Sequence, residues 1–82
     1  MRRVAASRVY LNEKEFHTNY VVELFDHLLV NHYPLEGEIA MTEWLGGTII
    51  IRGREAYHTR KVLSPAELST YDSGCNSDVE RL

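Results

Sequence analysis

Apolar and polar residues alternate with a period of two along much of this chain, the spacing of a strand covered on one face. From Val4 to Leu11, Val9 and Leu11 fall on one side and Arg8 and Tyr10 on the other. After the polar break "NEKEF", "HTNYVVELF" sets Tyr20, Val22 and Leu24 against Val21, Glu23 and Phe25, in residue types that favour strands. "DHLLVNHYPL" restarts after Asp26 and His27, a short connection without the glycine that a two-residue hairpin prefers. The same stretch admits a helix over residues 19–31, because Val22, Phe25, Leu28 and Leu29 also meet a helical period. Its β-branched content and the break from Asn31 to Pro34 favour strands. Pro34 has no amide hydrogen to donate and is expected to end the third strand or place its end on a sheet edge.

Beyond the "EGE" turn, Gly46 and Gly47 precede Thr48, Ile49, Ile50 and Ile51, a continuous run suited to a strand buried on both faces. A last strand is expected through Tyr57, Thr59 and Val62. A helix start then follows, with Ser64 as N-cap, Pro65 at the first helical position and Glu67 placed to complete a capping box. The pattern therefore predicts a mainly β fold: one small domain over residues 1–69, a β-sheet or half-sandwich of about four to five antiparallel strands with a short C-terminal helical turn. Residues 70–82, polar and poor in apolar side chains, are expected to form a flexible tail. The expected core is Val22, Leu24, Trp44, Ile49 and Ile51.

A chain of 82 residues buries a modest share of its surface, and its single cysteine permits neither an intrachain disulfide nor a paired-thiol zinc site. Self-association is the remaining stabiliser. Ser7 and Arg8 cut the N-terminal apolar run short of a signal-peptide core, and no apolar run reaches the roughly 20 residues of a membrane span. With an unpaired Cys75, these features lead us to expect a cytoplasmic protein.

The charge is segregated. Arg2, Arg3, Arg8 and Lys14 lie early and Arg52, Arg54, Arg60 and Lys61 late, whereas the middle holds Glu15, Glu23, Asp26, Glu36, Glu38 and Glu43. Such blocks can steer like subunits together, which makes Arg52, Arg54, Arg60 and Lys61 candidate interaction residues. The net charge of -3 disfavours nucleic-acid binding.

No residue qualifies as catalytic. Cys75 has no evident base beside it, the serines lie in no nucleophile elbow, and "LGGT" and "IRGRE" lack the lysine of a phosphate loop. The histidines His17, His27, His32 and His58 are scattered and lack a cysteine partner, so neither a metal nor any other cofactor is expected, with His58 the one weak metal candidate.

The stretches "VVEL", "DHLLVNHYPL" and "WLGGTIII" together resemble the small β-sandwich that precedes the barrel in metal-dependent amidohydrolases, particularly deaminase-like members. The likeness covers about the first 60 residues. In that family a strand enters a Pro-Gly turn followed by His-x-His, and counting on from Gly53 reaches His58 and then Arg60, with Arg52 in place of the proline. Arg60 carries only donors and cannot ligate a divalent ion. The resemblance thus implies a sandwich portion without the catalytic barrel. Two functions follow: a noncatalytic β module acting through protein association, as a homodimer or an accessory partner, or the sandwich subunit of a split amidohydrolase-like enzyme.

Overall fold

The computed structural model describes residues 1–12, 15–37, 41–71 and 79–82, the side chains of 69–71 excepted. β1 (Arg2–Tyr10) and β2 (Phe16–Phe25) pair antiparallel along nearly their whole length. The register passes from Ala6↔Tyr20 to Arg8↔Thr18, skipping Ser7 and Asn19, and Asn19 has a left-handed φ of 48°. The inward face shifts here by one position: Val4 and Ala6 point into the same core as Val9, while Tyr10 faces a second cluster outside. One residue is skipped on each strand, so the register is the same on both sides of the gap.

β2 turns through Asp26 and His27 into β3 (Leu28–Pro34), and residues 19–31 are thus strand and turn, not helix. Both turn residues lie in the left-handed region, with φ of 53° and 69°, the signature of a type I′ hairpin made here without glycine. Pro34 is the last residue of β3.

The next two strands are halves of one run along β1. β4 (Thr42–Trp44) lies parallel to residues 3–5, and β5 (Thr48–Arg52) parallel to residues 8–10. Between them Leu45 N–H donates to Ala5 O, and Arg8 N–H donates to Gly47 O. Gly46 and Gly47, with φ of 66° and 60°, kink the run. A Cβ on Gly47 would stand 2.1 Å from Thr59 O, so glycine is required there for space as well as conformation. β6 (Glu55–Thr59) returns antiparallel to β5 through the Gly53 turn and meets β3 at Leu28↔Glu55. The ring β1–β2–β3–β6–β5 closes into a five-stranded mixed barrel, with β4 outside it.

A mainly β fold with one short helix is as expected, but an antiparallel half-sandwich is not what forms. Alternation reports which face of a strand is covered and is silent on the direction of its neighbour. The parallel β1–β5 pairing closes the sheet and removes two edges.

Val22, Leu24, Ile49 and Ile51 lie in the barrel core with Val4, Val9 and Tyr20. Trp44 does not. It is 55% exposed, because β4 stands at the end of the sheet order and, among the described residues, faces no second layer. A second cluster of Tyr10, Ile50, Leu63 and Leu68 covers the outer face of β1 and β5. Here α1 (Pro65–Tyr71) supplies Leu68, and the capping box forms in both directions: Ser64 N–H donates to Glu67 Oε1 and Glu67 N–H to Ser64 Oγ, each at 3.3 Å.

β6 ends at Thr59, so Val62 lies beyond it and is exposed. Side chains bind the backbone of this exit segment: Thr48 Oγ1 donates to Lys61 O, and the Tyr10 hydroxyl donates to Leu63 O. Both ends of the stretch expected to form a flexible tail carry regular elements. Residues 70 and 71 continue α1, and β7 (Glu80–Arg81) pairs with β6 at His58 and Tyr57. Leu82 N–H donates to Ala56 O and its side chain packs against the core. Residues 72–78 lie outside the described residues.

Candidate functional site

Where β4 leaves the barrel and β6 does not follow, a groove of about 670 Å³ opens. It is lined by Trp44, Leu45, His58, Arg60, Lys61 and Glu80. The Gly46–Gly47 kink builds it. The indole Nε1 of Trp44 lies 3.6 Å from where a Cβ on Gly46 would stand, and the Arg60 backbone presses directly against Gly47. His58 Nε2–H donates to Gly46 O at 3.0 Å and pins the kink to β6.

The edge of β4 faces away from β1. Because Leu45 N–H points at β1, alternation sends the amide of Glu43 the same way and turns those of Thr42 and Trp44 outward. β4 closes the sheet order on that side, and Met41, 88% exposed, precedes it. An apolar pair on an open strand edge is a surface that proteins ordinarily cover or charge.

The four candidate interaction residues do not form one patch. Arg60 and Lys61 line the groove, whereas Arg52 and Arg54 sit at the Gly53 turn, at the opposite end of the β5–β6 hairpin. The hairpin is five residues long, so at about 3.3 Å per residue the pairs are held about 16 Å apart.

Two carboxylates of the acidic middle of the chain pair with the early arginines. Arg2 bonds Glu43 at 2.9 Å and Arg3 bonds Glu23 at 2.7 Å. Glu23 also accepts from the Tyr33 hydroxyl and from Asn31 Nδ2. The hydrogen bond from Arg3, followed by that from Tyr33, holds its carboxyl below the usual carboxylate range. Burial, with the bond to Glu23 in addition, pushes the Tyr33 phenol up.

Most arginines have partners: Arg8 donates to Leu63 O, Arg54 reaches Leu29 O, Arg81 pairs with Glu55, and Arg52 is also engaged. Arg60 is exposed and makes no hydrogen bond or ion pair with any described residue.

The remaining histidines serve local contacts. His17 stacks on Tyr20 with ring centroids 4.4 Å apart, His32 Nδ1 and the Tyr20 hydroxyl share a hydrogen bond of 2.8 Å, and His27 Nδ1–H donates to the Leu82 main-chain oxygen. Among the described residues no three His, Cys, Asp or Glu side chains gather to hold a metal ion. The spacing that carried the amidohydrolase resemblance has a definite geometry: Gly53 is the turn of the β5–β6 hairpin and His58 lies inside β6. Cys75 lies outside the described residues.

The sequence offered one signal for the groove. A Gly-Gly pair inside an otherwise strand-like run marks a bulge or a close backbone approach, and it separates Trp44 from the isoleucines that follow. No helix among the described residues is long and apolar enough to cross a membrane. No protein-family model, curated protein or solved structure matches this chain.

Proposed function

We propose that this chain is a noncatalytic β module that works by protein association, with the free edge of β4 and its adjoining groove as the working surface. The observation that carries this reading is the open edge itself, which exposes Trp44 and Met41 beside outward-facing amides. Tryptophan is the side chain most often found dominating interface energetics, because it buries a large area with little loss of freedom. Sedimentation velocity and light scattering at micromolar concentration, on the wild type and Trp44→Arg, test the proposal. The wild type should self-associate or form a defined complex with a partner protein, and the variant should lose that assembly while keeping its melting transition. A strictly monomeric wild type that forms no complex the variant lacks would overturn it.

A further inference from the structure

We infer that β7 is a latch on the weaker of the two barrel joins that no hairpin makes, and that the barrel opens there, between β3 and β6, while the β1–β5 join stays shut. The two joins are built unequally. β1 and β5 pair at Arg8↔Thr48, Val9↔Ile49 and Tyr10↔Ile50, add the bond from Arg8 N–H to Gly47 O, and are covered outside by Leu63 and Leu68. Among the described residues β3 and β6 meet at one pair, Leu28↔Glu55, beside which Leu29 N–H donates to Arg54 O at 2.7 Å. Past that point β3 has few donors left to offer: His32 N–H is taken by Asn31 Oδ1, and Pro34 has no N–H. β7 occupies the edge of β6 that β3 leaves, pairing at Tyr57↔Arg81 and His58↔Glu80. Leu82 then ties the two lips together. Its N–H donates to Ala56 O of β6, its main-chain oxygen accepts from His27 Nδ1–H in the β2–β3 turn, and its side chain packs against the barrel core. The Arg81–Glu55 ion pair is exposed on both sides and adds little. A hollow of about 600 Å³ lined by Leu24, Phe25, His27 and Leu82 adjoins the latch, so Leu82 borders open space as well as core. A closure made of so few buried contacts gives way before the core does. Its release uncovers the β6 edge at residues 56–58 and the inner face of the barrel behind it.

Hydrogen exchange of the full chain under native conditions, followed by NMR at low denaturant concentrations, tests the latch. The amides of Leu29 and Leu82 report the β3–β6 join, and the amide of Arg8 reports the β1–β5 join. With intrinsic rates allowed for, Leu29 and Leu82 should exchange at matching rates, at least about tenfold faster than Arg8. Their exchange should also depend less on denaturant, because opening the latch exposes little surface. Ile50→Val trims the outer cluster, which is intact in the opened form as in the closed one. It should therefore speed Arg8 roughly two- to tenfold and leave Leu29 and Leu82 unchanged. Leu82→Ala weakens the closed form against every other state, so it should speed Leu29 and Arg8 by the same factor. Protection of Leu29 and Leu82 equal to that of Arg8, a Leu29 amide indifferent to Leu82→Ala, or acceleration of all three amides alike by Ile50→Val would each overturn the inference. So would a Leu82 amide that exchanges much faster than Leu29, since a segment that frays alone does not hold the lips together.

Discussion

β4 and β5 run in the same direction along the same neighbour, yet one is nearly all surface and the other nearly all interior. Thr48, Ile49, Ile50 and Ile51 are each buried, whereas β4 has no layer over it among the described residues and leaves Trp44 half in solvent. What separates them is the Gly46–Gly47 kink: on one side the run has β6 beside it and a helix above, and on the other, among the described residues, only β1 pairs with it. One strand, cut in two by a pair of glycines, thus provides both the centre of the barrel and its open edge. Burial is decided by which elements are available to cover a segment, and apolar content alone does not decide it.

The contrast can be broken most severely from the buried half. Ile49→Ala, at a fully buried position, should lower unfolding free energy by about 2 to 5 kcal/mol in chemical denaturation. A loss under about 0.5 kcal/mol would mean that β5 does not carry the core.

The kink itself comes next. Gly47→Ala adds a Cβ against Thr59 O at a left-handed residue, and the strain and overpacking together should cost about 2 to 4 kcal/mol. Gly46→Ala, where the Cβ meets only Trp44 Nε1 at 3.6 Å, should cost about 1 to 2 kcal/mol from conformation alone. Equal losses at the two glycines would show that steric room is not what makes the kink necessary.

On the β4 side of the kink, charge also holds β1 in place. Glu23 has a depressed carboxyl pKa in the folded state, so its contribution is present above the unfolded value of about 4.3 and is lost as pH falls through the lower folded value. Acid unfolding of Glu23→Gln should accordingly show a flatter dependence on pH below about 4.3 than the wild type. Matching slopes would show that the Arg3–Glu23 pair gives the fold no acid sensitivity. The smallest effect is expected at the exposed half: Trp44→Ala should change stability by less than about 0.5 kcal/mol while removing assembly. A larger loss would return Trp44 to the core.

Much of this fold can be read from the chain, because local chemistry specifies it. The capping box at Ser64 and Glu67 and the strand terminated by Pro34 form as their residue types require. The isoleucine run is buried on both faces, as a continuous apolar strand should be. Pairing direction is not local. Nothing in "TIIIR" distinguishes an antiparallel neighbour from the parallel β1 it acquires, since both present the same alternation of faces.

The candidate site was half legible for a related reason. His58, Arg60, Lys61 and Trp44 each stand out by type, but their meeting in one groove depends on the kink. Arg52 and Arg54, close to Arg60 in sequence, are carried away by a hairpin. The Asp26–His27 turn shows the converse, a geometry made by residues whose types give little warning of it.

β1 has consequences for how the barrel assembles in time. Its residues 8–10 pair with residues 48–50, so the seam that closes the barrel joins segments far apart in the chain. The hairpins β1–β2, β2–β3 and β5–β6 can each form from neighbouring sequence, but the closing seam must await a long loop and bear its entropy before any contact rewards it. Folding is therefore expected on the millisecond-to-second scale typical of nonlocal β topologies, with closure late. On the ribosome, β1 emerges well before β5 and spends that interval with one edge unpaired, open to other chains in the same condition.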